Sequence, residues 1–466
     1  MTTIAVIGAG FSGTLLALHL LRHAPAAVRV VLIERNPQFG RGLAFSSGNA
    51  SHLLNVPTGR MSAFHDRPHD FLDWLKTQAL PEGEGAPTER CFVPRRQFGA
   101  YVRSLLNAEL KRDDSADRLD LVRGDVQAID TSGPRLAVAL ERDRVIACDL
   151  AVLAVGNFPP EAPRVADPSF YDTALYRPDP WAPDAVTDLD PAAPVLLIGT
   201  GLTMADTVVS LLDCGHRGPI HAMSRRGLLP RTHPAATAPL PVDPISYPTS
   251  LNALARLLRR EAEQATQAGG SWHAAIDSLR PFTNDVWQAM PLPERARFLR
   301  HLRPWWDVHR HRLAPSVANR IATAQSCGQL RIHVGRIQRY TETGDGQVTV
   351  EYRTRSGGTE GVAVARVINC SGPCCDYDRI AHPLVRSLLA NGTVRPDPMR
   401  LGLDVSGTCA LMDRNGAISR RLFAVGPITK GAFWEMTAVP DIRRQCELLA
   451  TTLTTLAKAI PAPAQV

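Results

Sequence analysis

The chain has 466 residues, more than one hydrophobic core accommodates, so two or three domains are expected. Hydrophobic residues make up 44% and charged residues 21%, the balance of a globular chain, which excludes a disordered one. The net charge of +7 is spread as arginines among acids with no run of five like charges, which argues against a nucleic-acid partner, and no apolar run approaches the ~18 residues of a membrane span.

The nine cysteines are odd in number and follow no disulfide or metal-ligand spacing. They predict a reducing, cytoplasmic setting and no metal site. The apolar N-terminus lacks a preceding basic stretch, so no signal peptide is read there.

In chain order, TIAVI at 3–7 predicts a buried parallel strand, a glycine turn covers 8–13, and TLLALHLLRHA predicts a helix. VRVVLIE at 28–34 predicts the next strand and completes a βαβ unit. Residues 36–66 read as irregular loop, 69–77 and 95–112 as helices, and 119–130 and 135–148 as a weaker β region. DLAVLAV at 149–155 is another buried strand, ending at Gly156, and the segment 157–194 is rich in Pro and Asp. At 194 the pattern restarts: PVLLIGTG, then MADTVVSLLDCG, then PIHAMS, a second βαβ unit. A Pro-rich loop at 228–248 precedes helices at 250–268, 285–301 and 315–326. Strands follow at 329–334, 347–353, 364–370 and 421–426, and a closing helix at 436–457. The fold class expected is α/β, with two Rossmann-like doubly wound domains, the second inserted in the first. The first domain spans 1–160 and 360–466, a linker spans 161–189, and the second domain spans 190–355 with a helical insertion at about 245–328.

Chemistry concentrates in five segments. Gly8, Gly10 and Gly13 form G-x-G-x-x-G between strand and helix, and Glu34 ends the next strand 21 residues on. The first glycine makes the turn, the second admits a pyrophosphate, and the third lets helix and strand pack closely. The helix start supplies free N–H groups and partial positive charge, and Glu34 can accept bonds from a ribose diol. The second loop has Gly199 and Gly201, but Met204 replaces the third glycine, which predicts a helix set slightly further off. After its second strand come Ser224, Arg225 and Arg226 in place of an acid, which suits a ribose 2′-phosphate and favours NADPH over NADH. Strands ending at Gly156 and Gly372 permit close approach of backbone to a cofactor. The loop LLNVPTGRMS places Asn55 and Arg60 as further cofactor contacts. In RPWWDVHRHRLAP, Trp305 with His309 and Trp306 with Arg310 are each four apart, so each pair shares a helix face. Trp306, His309 and Arg310 are the candidate substrate contacts for a planar anionic heterocycle.

GAGFSGTLLALHLL, LNVPTGRMSAFHD, VLLIGTGLTMAD, AMSRRGLLPR, LRPWWDVHRHRLAP and VGPITKGAFWE together resemble the bacterial FAD-NAD(P)-binding protein family, over nearly the whole chain. Within it, length and layout are similar to a type of FAD-dependent urate hydroxylase distinct from the phenol-hydroxylase-like type. The resemblance implies FAD at Gly8, Gly10, Gly13 and Glu34, with contacts near Asn55 and Gly426, and a nicotinamide nucleotide, NADPH or NADH, at Gly199, Gly201 and Arg225. The Baeyer–Villiger pattern F-x-G-x-x-x-H-x-x-x-W is not kept: after Phe170 come Asp172 and Tyr176 at the Gly and His places, and Trp181 is one place late.

The expected activity is therefore an NAD(P)H-using monooxygenase acting with molecular oxygen on a small soluble substrate, urate to 5-hydroxyisourate being the leading reading. One alternative is a reductase passing electrons to an acceptor. Residues 36–66 hold no cysteine; Cys370 and the Cys374–Cys375 pair are substitutes for a redox pair but sit on a strand end and turn. An amine N-hydroxylase is a further alternative. A flavin sensor is disfavoured, because a sensor needs no second nucleotide.

Overall fold

The six residues of β1 (Thr2–Ile7) and the seven of β2 (Val28–Glu34) are mainly Val, Ile and Leu, buried along nearly their full length, as strands covered on both faces require. They pair in parallel, with Ile4 opposite Val30, and the helix Phe11–His23 makes the crossover. In this computed structural model, which describes residues 1–78, 85–234 and 247–460, the chain forms two compact units. The first comprises 1–48, 57–158 and 375–466, and the second 49–56 and 159–374. Part of the expected 228–248 loop and the start of the helical insertion near 245 lie outside the described residues.

The first unit continues with β3 (Leu119–Arg123), then β4 (Val126–Asp130), β5 (Leu136–Leu140) and β6 (Val145–Cys148), then β7 (Leu150–Leu153). The second unit holds β8 (Tyr176–Arg177), β9 (Val195–Ile198), β10 (Ile220–Ser224), β11 (Leu330–Glu342), β12 (Val348–Thr354), β13 (Thr359–Val364) and β14 (Arg366–Asn369). The chain then returns with β15 (Ala410–Met412) and β16 (Ile418–Ala424). The first sheet runs β15-β16-β7-β1-β2-β3, the second β13-β12-β11-β10-β9-β14-β8, and β4-β5-β6 form a separate antiparallel sheet. Each large sheet has a parallel centre with an antiparallel edge. The α/β class with two doubly wound, parallel-centred sheets is the one expected from the sequence.

Several boundaries differ from the sequence reading. The first domain was expected to resume at 360, but β14 lies in the second sheet between β9 and β8, and the first unit resumes at Cys375. The expected linker supplies β8 to that same sheet, with Tyr176 opposite Val367. Buried Arg366 holds this stretch by donating to the carbonyls of Ala185, Thr187 and Asp188. The 119–130 region is two strands in two sheets, broken at Gly124, where a Cβ would strike the Arg144 and Leu140 side chains. The helix expected over 285–301 is Thr283–Ala289, then Leu292–Arg297, then a π turn Phe298–Leu302; Pro291 ends the first piece because it cannot donate to the preceding turn. The helix His273–Leu279 and strands β13 and β15 were not foreseen.

Candidate functional site

In the first unit the C-terminal ends of β1, β7 and β16 converge on the start of the helix Phe11–His23. Gly8 has φ +103°, and a Cβ on it would run into the Ala154 carbonyl at the end of β7. A Cβ on Gly13 would overlap the Gly8 carbonyl, so this glycine lets the helix lie against the turn. Gly10 is the N-cap of a 13-residue helix and no side chain caps it, so the first-turn amides are left to a ligand. Glu34 is 8% exposed; its Oε2 accepts the Ala9 N–H at 2.8 Å and its Oε1 accepts the Asn36 N–H at 3.0 Å. Asn36 Nδ2 donates to the same Oε1 at 3.2 Å, and the carboxylate therefore pins the loop to the end of β2.

Gly156 and Gly426, from the ends of β7 and β16, join this edge, both at positive φ, +68° and +82°. No atom lies within 4 Å of a Cβ built on Gly156, whereas one on Gly426 would press on Ser12 at the helix start. The Gly426 N–H donates to Gln445 Oε1 at 2.8 Å, and Gln445 Nε2 donates to Thr429 Oγ1 at 2.9 Å, a buried network that holds the turn. Asn55, expected beside these groups, lies in the 49–56 segment that belongs to the second unit, where its carbonyl accepts from His233 Nε2 at 2.9 Å.

The second unit repeats the device. Gly199 has φ +111° and abuts the Cys370 carbonyl at the end of β14, as Gly8 abuts Ala154. Gly201 caps a 12-residue helix, Leu202–Asp213, without a side-chain cap, and a Cβ on it would meet nothing within 4 Å. Met204, at the third glycine's place, is fully buried and lines a cavity with Ala205, Leu229, Leu313 and Ile321. Thr200 Oγ1 donates to Leu228 O at 2.7 Å and lies 2.9 Å from Ser224 Oγ, which accepts the Gly227 N–H, so Ser224 serves the turn. Arg225 and Arg226 are exposed and, among the described residues, neither has a hydrogen-bond or ion-pair partner. Both glycine loops thus lead into a helix start without a side-chain cap, which fits a dinucleotide pyrophosphate.

RPWWDVHRHRLAP forms the helix Arg303–Arg310, as its spacing suggests. The exit from this helix is tied to 231–233 by Leu313 N–H to Arg231 O at 2.8 Å and His233 N–H to Leu313 O at 3.0 Å. Trp305 is 44% exposed, and Trp306 is half-buried with its Nε1 covered and without a hydrogen-bond partner among the described residues. His309 Nδ1 donates to Trp305 O at 2.7 Å, and Arg310 is half-buried. Burial, with Arg312 and Arg310 adding, pulls His233 down to about 4, so it is neutral at pH 7.

None of the nine cysteines is in a disulfide. Cys370 is buried beneath the second glycine loop and burial pushes its thiol up to about 12, the opposite of a redox nucleophile. Among the described residues no His, Cys, Asp or Glu group has metal-binding geometry, and no helix is long and apolar enough to cross a membrane.

Residues 5–158 match the model of an FAD-NAD(P)-binding family. Comparison with curated protein sequences finds no match. Solved structures with a similar fold include ornithine hydroxylase from Pseudomonas aeruginosa, with TM-score 0.65 and 16% identity over 98% of this chain and 99% of that one. L-lysine 6-monooxygenase from Pseudomonas syringae gives TM-score 0.62 and 16% identity over 99% and 100%. The cadaverine monooxygenase from Erwinia amylovora, solved with FAD, gives 0.63 and 13% over 99% and 96%. At these identities the likeness is one of fold. Residues 5–158 thus resemble an FAD-NAD(P)-binding domain, and the chain shares the fold of these solved structures.

Proposed function

We propose that the chain is an FAD-dependent, NAD(P)H-using monooxygenase acting on a small substrate. The observation that carries this reading is the repeated device: a helix start without a side-chain cap behind a glycine turn at Gly10 and again at Gly201, each under a strand end of a parallel sheet. Gly8, Gly10, Gly13, Glu34, Gly156 and Gly426 would hold FAD. Gly199, Gly201, Ser224, Arg225 and Arg226 would hold the nicotinamide nucleotide, the two free guanidiniums favouring NADPH. FAD, when bound, would supply the redox chemistry between the nicotinamide nucleotide, dioxygen and the substrate, with one oxygen atom going to the substrate and the other to water. The protein's part is to bind, orient and exclude water.

The substrate reading is urate, hydroxylated at C5 to 5-hydroxyisourate. What supports it is the family resemblance together with the Trp306, His309 and Arg310 helix, whose guanidinium and indole suit a flat anion. The second reading is an amine N-hydroxylase, supported by the substrates named for the similar solved structures, ornithine, L-lysine and cadaverine. Of the thiols a reductase reading would draw on, Cys370 is buried and held protonated.

The deciding experiment follows NADPH and NADH oxidation by the purified FAD-bound protein in air, with urate, L-ornithine or cadaverine, while measuring peroxide. Substrate-stimulated oxidation with little peroxide and an oxygenated product supports the monooxygenase. Dye reduction without oxygenated product from any substrate sinks it.

A further inference from the structure

Between the two glycines of the second loop stands Thr200, buried at 6% exposure. Its Oγ1 lies 2.7 Å from Leu228 O, which only accepts, so the hydroxyl proton points there. The oxygen is then left to accept, and Ser224 Oγ stands 2.9 Å away. Ser224 Oγ takes the Gly227 N–H at 2.9 Å and turns its own proton toward Thr200. The bonds thus run one way, from the Gly227 N–H to Ser224, from Ser224 to Thr200, and from Thr200 to Leu228 O. Both ends of this chain lie on the same turn, which closes around a single threonine hydroxyl.

Little else fastens that turn. Among the described residues, 225–229 make no backbone–backbone hydrogen bond. Gly227, at φ +62°, lies against β11, where a Cβ would strike Val334, so the turn has no room to settle inward if the clasp opens.

Arg225 and Arg226 are the central residues of the turn between Ser224 and Gly227. Both are exposed, and among the described residues neither has an ion-pair partner. On its other side Thr200 adjoins Gly201, whose helix has no side-chain cap and whose added Cβ would meet nothing within 4 Å. One buried hydroxyl therefore ties an open helix start to a pair of guanidiniums. A dinucleotide with a 2′-phosphate would use both groups at a fixed separation, whereas one without it would use the helix start alone.

We infer that Thr200 is a positioning residue for nucleotide choice: its hydroxyl clasps the turn after β10 so that Arg225 and Arg226 meet the 2′-phosphate of a dinucleotide whose pyrophosphate lies at the Gly201 helix start. The inference rests on the nicotinamide-nucleotide reading of this loop. Thr200 acts through the turn and does not itself touch the 2′-phosphate.

The test uses the full-length protein supplied with FAD. NADP+ and NAD+ are the probes in calorimetry, and hydrogen exchange over residues 224–230 is followed without nucleotide. Thr200→Val keeps the shape of the side chain and removes the hydroxyl. It should weaken NADP+ about 10- to 100-fold and NAD+ by less than about threefold, because only the former uses the guanidiniums. The Gly227 amide should exchange about tenfold or more faster in this variant, whether or not a nucleotide ever binds. Thr200→Ser, which restores the hydroxyl, should bring both readouts back to within about threefold of the wild type. A threonine that only supported the fold would weaken both nucleotides alike. Ser224→Ala cuts the same chain of bonds and should give the same split should the valine variant not fold. Equal loss of NADP+ and NAD+, no recovery in Thr200→Ser, or unchanged Gly227 exchange in Thr200→Val would each overturn the assignment. Wild-type protein that takes up neither nucleotide removes the nicotinamide reading and the specificity role with it; NADP+ bound equally by wild type and Thr200→Val removes the specificity role alone.

Discussion

The Glu34 carboxylate takes the Ala9 N–H on Oε2 at 2.8 Å, so the acid that ends β2 also shapes the glycine loop that ends β1. Loss of this acid acts twice, on the loop and on any diol bound there. Glu34→Ala should give a folded but colourless protein, with FAD affinity lowered by about 100-fold or more and stability by about 1–3 kcal/mol from the orphaned buried amide. Flavin content after refolding with excess FAD, together with the urea midpoint, checks it.

The two loops should respond differently to one added methyl group. At Gly13 a Cβ overlaps the Gly8 carbonyl, whereas at Gly201 it meets nothing within 4 Å. Gly13→Ala should fail to yield soluble protein or lose several kcal/mol. Gly201→Ala should melt like the wild type yet bind NADPH about 10- to 100-fold more weakly, because the methyl group occupies the pyrophosphate's approach. Equal behaviour of the two variants would contradict the cradle.

Arg225 and Arg226 stand exposed after β10. Arg225→Ala should raise the KM for NADPH about 10- to 100-fold and that for NADH by less than about threefold, since only the former carries a 2′-phosphate. Steady-state kinetics with both nucleotides reads this directly, and equal effects would remove the phosphate argument.

Arg118 closes the first βαβ unit at its far end. Its buried guanidinium donates to Val28 O at 3.0 Å, Leu21 O at 3.1 Å and Ala24 O at 3.2 Å, satisfying carbonyls at and beyond the end of the helix Phe11–His23. Arg118→Met keeps apolar bulk and strips these bonds; a loss of about 2–4 kcal/mol is expected in denaturant unfolding, with flavin still bound below the transition.

His19 is pulled down to about 4, chiefly by burial, with His23 and Arg22 adding to it. A lowered folded-state value means that the unfolded chain binds the proton more readily. The stability from this neutral imidazole is thus complete above pH 6.5 and is lost as the pH falls from 6.5 toward 4, up to about 3 kcal/mol. Relative to His19→Leu, which lacks the titrating group, the wild type should lose stability over that window and hold a constant difference above it.

Much of the backbone of the two glycine loops was legible in the sequence because it is local. The run TIAVI, the glycine spacing and the acid at 34 lie within one βαβ unit, and there the structure has strand, turn, helix and strand as read. The same holds at 195–224, and the helix Arg303–Arg310 follows from its four-residue spacing. Broken segments were harder: Gly124 and Pro291 look like ordinary residues of a run until neighbours show that the chain must turn there.

By itself, then, the order of residues determined two parallel sheets, two glycine loops and their helices, since each follows from periodicity and turn chemistry over about thirty residues. Only the tertiary structure decided which sheet received β14, that 49–56 belongs with the second unit, that the Cys370 thiol is sealed under a loop, and that Trp272 meets His309. Those outcomes depend on partners far apart in the chain, chosen by burial and hydrogen bonding summed over the whole fold, and no local pattern carries that sum.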